Sequence, residues 1–225
     1  RSVIKRAERY WRRGWMRVAN WPLVGSLATR IAQVGLPPHT GRVPLAKLRP
    51  HGYLSPNARI SHGGFVRGHQ CFIGDNVLVY QETKGGAVQL GDQVHIHEHT
   101  TLQTGLDGSI SIGSKTHIQP RCQFSGYGGQ IRIGERVEIA PACAFYPYNH
   151  GMEVGTPIQQ QPIFSHGGIF IDDEAWLGYG VIVLDGARIG KGAVVAAGSV
   201  VASEIPEYAI AAGSPARIIG SRQNA

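Results

Sequence analysis

The sequence predicts an all-β solenoid, one elongated body of short strands and sharp corners, preceded by a basic helical segment. Three observations carry that prediction. From Ile171 onward an aliphatic residue returns every six positions, as Ile171, Leu177, Val183, Ile189, Val195 and Val201, a period that neither a helix of 3.6 residues per turn nor a strand of period two can produce. Four residues after each stands a mostly small side chain, seen in Ala175, Val181, Ala187, Ala193 and Ser199. Glycine supplies 31 of the 225 residues and charged side chains only 16%, against a usual ~7% and ~25%. With 42% apolar residues and no glycine period of three, the chain is neither disordered nor collagen-like.

The first element is basic. Residues 1–50 hold eleven Lys/Arg and one acid, residues 51–225 eleven Lys/Arg and fourteen acids. The net charge of +7 therefore belongs to the leading segment, and an acidic body without a basic, aromatic-studded face argues against nucleic acid as a partner. Over residues 3–18, Ile4, Ala7, Trp11, Trp15 and Val18 form an apolar stripe among Lys5, Arg6, Arg9, Arg12, Arg13 and Arg17, the pattern of a basic amphipathic helix. Pro22 opens a second helix with Leu23, Leu27, Ile31 and Val34 on its apolar face and Gly35 as its stop. Two readings stay open for this segment: a cap on the exposed coil of the solenoid, or peripheral contact with an anionic membrane surface through residues 1–35. No apolar run approaches the ~18 residues of a membrane span. The three cysteines, Cys71, Cys122 and Cys143, contain no C-x-x-C pair, so a reducing, cytoplasmic setting is expected.

The same six-residue phase runs upstream in interrupted form. Leu54 and Ile60 are followed by Ile73 and Val79, then Leu90, Ile96 and Leu102, then Ile112, Ile118 and Phe124, then Ile133, Ile139 and Phe145. Tetrads with glycine second open five rungs, for example Ile73-Gly74-Asp75-Asn76 and Ile133-Gly134-Glu135-Arg136. Successive openings lie mostly 17 to 22 residues apart, close to three hexapeptides, as a triangular coil requires. About seven coils are expected over residues 51–215, with a tail at 216–225. Each aliphatic points into the prism, and Cys122 and Cys143 fall on its small interior position, which makes them core residues. Between Phe145 and Ile171 the register is lost for 26 residues. A loop of about 146–168 leaves the prism there, and extruded loops on rigid scaffolds are where functional residues concentrate.

The C-terminal stretch is more specific. It reads Ala175-Trp176-Leu177-Gly178, Ile189-Gly190, Ala196-Ala197-Gly198-Ser199-Val200-Val201, Ile205-Pro206 and Ala212-Gly213-Ser214-Pro215-Ala216-Arg217. This resembles the hexapeptide-repeat acyltransferases with a left-handed parallel β-helix, in the galactoside and maltose O-acetyltransferase branch that includes polysaccharide-modifying sugar O-acetyltransferases. The resemblance implies a homotrimer, acetyl-CoA as acyl donor in a groove between neighbouring prisms, a sugar or glycan acceptor and no metal. It puts the catalytic histidine at His150 in Tyr148-Asn149-His150; Asn149 and Glu153 are the candidates to orient the imidazole, and either reads equally as a solvated loop residue. On the cofactor side it implies Trp176, Gly178 and Tyr179 beside the CoA arm, Ala197 and Gly198 at the pantetheine amides, and Arg217 at the phosphates. A second family arginine falls at Gly220, leaving Lys191 or Arg222 as substitutes.

Two rival readings of the sequence stand beside this one. A gamma-class carbonic-anhydrase-like zinc enzyme needs histidines at H-x4-H spacing, and no pair here has it. His95, His97 and His99 instead read as corner residues, with His95 and His97 facing outward around an inward Ile96. A non-catalytic β-solenoid scaffold is the other rival.

Overall fold

The computed structural model describes residues 2–224, and the side chains of residues 1–5, Ile4 and Lys5 among them, lie outside the described residues. Helices α1 (Ser2–Val18) and α2 (Gly25–Ala32), a 3-10 turn at His39–Arg42 and α3 (Val43–Ala46) precede a parallel β-solenoid of seven turns. Its three faces are sheet A, which begins at Tyr53–Leu54, sheet B, which begins at Arg59–Ser61, and sheet C, which begins at Phe65–Arg67. The chain visits them in the order A, B, C, and every coil pairs in parallel with the next. At the end, Arg217–Ser221 turns back as an antiparallel strand on Ala209–Ala212 and closes sheet A.

The six-residue phase is the interior register. On sheet A, Ile73, Ile96, Ile118, Ile139, Leu177 and Val195 stand one above another. On sheet B the ladder runs Val79, Leu102, Phe124, Phe145, Val183 and Val201, with the rings of Phe124 and Phe145 stacked 4.4 Å apart. All of these side chains are buried in one cluster. Cys122 and Cys143 lie in it as expected. Each thiol is held to a carbonyl of the coil above at 3.3 Å, and hydrogen bonding to Cys143 together with burial pushes the Cys122 thiol up.

The corners do not rely on glycine alone for their backbone conformation. The left-handed position of the corners is taken mostly by other residues, among them Asn76, Gln93, Lys115, Arg136 and Glu174, at φ between 55° and 62°. The tetrad glycines serve close approach instead. A Cβ on Gly91 would lie 2.6 Å from the Ser114 nitrogen, and one on Gly190 2.6 Å from that of Glu207. The coil above passes too near for any side chain.

The N-terminal helices also pack differently from the prediction. Met16, Ala32, Leu45 and Ala46 form a second cluster with Tyr53 and Phe72. Those two aromatics occupy the outward register of sheet A, followed by His95 and His117. The segment therefore buttresses the outer side of sheet A over its first coils, tied by Arg42 to Asp75 at 2.7 Å and by Tyr53 to Gln33 at 2.9 Å. Leu54, the first inward residue of sheet A, stays 37% exposed, so the end of the ladder is not sealed. On α1 the buried residue is Met16, while Ala7 and Trp11 are exposed. α2 begins at Gly25, not at Pro22, and buries Gly25, Ala28, Thr29 and Ala32 in place of the predicted Leu23, Leu27, Ile31 and Val34. A Cβ on Gly25 would collide with the Ala19 carbonyl, so only the small side of the helix approaches α1 this closely.

This buttress also corrects the histidine reading. His97 is buried against Phe72 at 5.3 Å, and half-buried His95 stacks on His117 at 4.4 Å. Burial, then the neighbouring His117, holds the His95 imidazole down at about 4. A histidine kept neutral in the fold but free to charge when unfolded makes stability fall as pH drops from ~6.5 toward ~4. Urea melts across that range should show the decline, and His95→Asn should make it shallower. In the same assay Phe124→Ala should cost about 3–5 kcal/mol through the cavity left in the ladder. Gly91→Ala should cost more than Gly180→Ala, whose added methyl meets nothing within 4 Å and whose left-handed backbone costs about 1–2 kcal/mol.

Candidate active site

The lost register after Phe145 is an extruded hairpin, in which Asn149–His150 pairs antiparallel with Ile163–Phe164. It leaves the prism where sheet B turns into sheet C. Gln161 ties the loop from inside. Its carbonyl accepts the Glu153 N–H at 2.8 Å, and its amide donates to the carbonyls of Glu153 and Thr156 at 3.0 and 2.7 Å. At the base, Asp185 accepts four hydrogen bonds: from the Asn149 amide at 2.9 Å, the Ser165 hydroxyl at 2.8 Å, and the N–H groups of His166 and Gly168 at 2.5 and 3.0 Å. One carboxylate thereby holds both arms of the hairpin to the following coil.

His150 stands exposed on this clamped arm. Its ring lies 6.1 Å from that of Tyr148, which in turn neighbours Tyr127 at 5.8 Å and Tyr146 at 6.1 Å. A fixed, solvent-facing imidazole beside an aromatic row can take a proton from a group brought to it. Asn149 directs its amide to Asp185 and so helps fix the hairpin. Asp185 and Gln161 escaped the sequence reading. The available signal for Asp185 was an acid followed by Gly186 at a corner two residues after inward Val183. Nothing in the sequence marks Gln161.

The predicted cofactor residues divide between two other corners. Gly178, Tyr179, Ala197 and Gly198 meet where sheet A turns into sheet B, the Gly198 N–H donating to the Tyr179 carbonyl at 2.8 Å. A Cβ on Gly178 would lie 2.6 Å from the Ala197 nitrogen, whereas one on Gly198 would meet nothing within 4 Å. This corner thus offers bare backbone to the outside. Trp176, 53% exposed, leads into it from the outer face of sheet A, and exposed Arg217 follows at the closing strand. Lys191 and Arg222 lie apart, where sheet C turns into sheet A, with Arg222 on the Gly192 carbonyl at 2.7 Å. His150 and the Ala197-Gly198 corner stand at opposite edges of sheet B.

Among the described residues no group of three His, Cys, Asp or Glu side chains is placed to hold a metal ion. If the Asp185 clamp holds the hairpin, Asp185→Ala should make the 149–164 segment susceptible to limited proteolysis at temperatures where the solenoid stays folded, as circular dichroism would confirm.

No family model matches the chain. It is similar to a probable acetyltransferase of Mycobacterium tuberculosis, Rv3034c, with 31% identity over 152 residues, 68% of this chain and 50% of the relative. It is also similar to a 2,3,4,5-tetrahydropyridine-2,6-dicarboxylate N-acetyltransferase of Staphylococcus aureus, with 42% identity over 55 residues, 24% of this chain and 23% of the relative. The chain thus spans about half the length of the first relative and about a quarter of the second. Among solved structures, AntD, an N-acyltransferase from Bacillus cereus in complex with dTDP and 3-hydroxybutyryl-CoA, superposes with a TM-score of 0.56 at 22% identity, covering 70% of this chain and 82% of AntD. The six-residue interior register, the three-sided coil and the likeness to AntD together give the chain the hexapeptide-repeat β-solenoid fold.

Proposed function

We propose that this protein is an acetyltransferase that moves the acetyl group of acetyl-CoA to a hydroxyl of a sugar or of a polysaccharide or glycolipid precursor, with His150 as general base. The observation that carries the reading is the pairing of an exposed, clamped His150 at one edge of sheet B with a bare glycine-alanine corner under Trp176 at the other. The likeness to acyltransferases supports the reaction class. AntD is described in complex with dTDP-4-amino-4,6-dideoxyglucose and coenzyme A, which supports a saccharide acceptor.

The chemistry asks little of the protein beyond placement. Neutral His150 takes the proton of the acceptor hydroxyl as its oxygen attacks the thioester carbonyl. The new C–O bond forms, the C–S bond breaks, and the imidazolium returns its proton to the departing thiolate. No covalent enzyme intermediate is needed. On the donor side, the backbone of Ala197 and Gly198 would meet the pantetheine amides, Trp176 and Tyr179 would flank the arm, and Arg217 would take phosphate oxygens. Lys191 stands a sheet's width from that corner and would assist only a phosphate that extends around it.

A homotrimer belongs to the same reading. The two halves of the site occupy opposite edges of one face, so a neighbouring copy would bring its glycine-alanine corner to the hairpin of the first. The reading further places the enzyme in the cytoplasm, with peripheral membrane contact through residues 1–35.

Acetyl transfer from acetyl-CoA to a panel of saccharides and amino sugars tests the proposal. His150→Ala should lower kcat/KM by about 10²–10⁴-fold, and unchanged turnover would remove His150 from the mechanism. Ala197→Trp should raise the KM for acetyl-CoA. Co-refolded in equal amounts, the His150→Ala and Ala197→Trp chains should recover about one quarter of the wild-type sites, because only a neighbour supplies each missing half. No recovery would refute the shared site.

A further inference from the structure

The outer side of α1 and α2 takes no part in the catalytic reading, and it inverts the usual arrangement of a helix on a water-soluble body. The inward side of α2 carries Gly25, Ala28, Thr29 and Ala32. Leu23, Leu27 and Val34 face outward at 97%, 60% and 62% exposure. Trp21 in the turn and Trp11 on α1 are exposed as well. Turning a leucine inward removes far more apolar surface from water than turning an alanine inward. A segment built only to pack on its own solenoid gains by the opposite arrangement. Four large apolar side chains, Trp21, Leu23, Val24 and Leu27, are held in water within seven residues, and such clustering marks a surface made for another apolar phase.

Charge identifies that phase. Residues 6–35 contain six arginines and a single acid, Glu8. Arg6, Arg9, Arg13, Arg17 and Arg30 are exposed. Tryptophan seats at the level of lipid headgroups, arginine stems lie along apolar surface while their guanidinium groups reach phosphates, and leucine enters the acyl boundary. A protein partner would have to match this surface with carboxylates interleaved among apolar groups. An anionic bilayer presents both phases in layers. Among the described residues no helix is long and apolar enough to cross a membrane.

We infer that the outer side of α1 and α2 docks this protein on an anionic bilayer surface, with Trp21, Leu23 and Leu27 entering the interface and Arg13 and Arg17 engaging headgroup phosphates. The inference rests on the membrane contact proposed above, not on the catalytic reading, and gives that contact its face and its residues.

Full-chain protein is sedimented with vesicles of phosphatidylcholine alone and of phosphatidylcholine containing about one third phosphatidylglycerol. Binding to the anionic vesicles should exceed binding to the neutral ones by tenfold or more and weaken at high salt. The Trp21→Ser/Leu23→Ser/Leu27→Ser variant should lose on the order of tenfold in partitioning, and Arg13→Gln/Arg17→Gln should lose most of the anionic preference. Both variants alter exposed side chains and should melt like the parent by circular dichroism. No sedimentation with either vesicle overturns the membrane contact itself. Equal binding to both vesicles keeps the contact and overturns the anionic assignment, and undiminished binding of the triple-serine variant overturns the face. Loss of self-association in that variant, without vesicle binding by the parent, assigns the face to a second copy and overturns the inference. Acetyl transfer to a soluble saccharide should be equal in parent and variants, and its absence in the parent counts against the catalytic reading alone.

Discussion

Each coil of the solenoid is fixed to its neighbours by two interactions that share one spacing: backbone hydrogen bonds between parallel strands, and the contact of each inward side chain with its counterpart in the adjacent coil. Neither works without the other. The strands are two to five residues long, too short to hold register alone, and the aliphatic ladder has nothing to bury against unless the backbones keep their pitch. This constraint makes the molecule periodic. It places Phe124 over Phe145, puts cysteines where the interior narrows, and demands glycine where the coil above passes within contact of a Cβ.

The same constraint dictates where chemistry can occur. With the interior filled, functional side chains must stand on outward register positions, at corners, or on chain that leaves the prism. His150 takes the third option and Trp176 the first, while Ala197 and Gly198 take the second. A corner with small residues exposes peptide groups that a bulkier residue would cover. The hairpin, held at its base by the Asp185 carboxylate, presents its histidine at a fixed distance from the coils. Under the proposed function, a rigid scaffold would carry a reaction that requires orientation more than reactive groups.

Much of this was legible because a solenoid writes its geometry into sequence as a period. Inward positions, coil count and the extrusion after Phe145 all follow from the spacing of aliphatics. The Asp185 clamp was not legible, since its four donors lie 17 to 36 residues away and only the fold brings them together. The orientation of α2 was misread for a related reason. A helical wheel ranks residues by apolarity, whereas the packed side was chosen by clearance: Gly25 and Ala28 fit closely and Leu27 does not. His97 was read as an outward corner residue because the strand pattern shows which way a side chain points and not what lies over it. The ring over it is that of Phe72, 25 residues back in sequence.

The Asp185 clamp also bears on how such a protein diversifies. Its donors come from the roots of the hairpin, Asn149 on one arm and Ser165, His166 and Gly168 after the other, and none comes from the tip. Between Gly151 and Pro162 the chain makes no contribution to the interior ladder, so that stretch can vary apart from the socket that holds its roots. Substitutions, insertions or exchanges there can reshape what is presented to His150 without disturbing the coils or the anchoring carboxylate, and under the proposed function acceptor preference would drift while the fold stays under separate constraint.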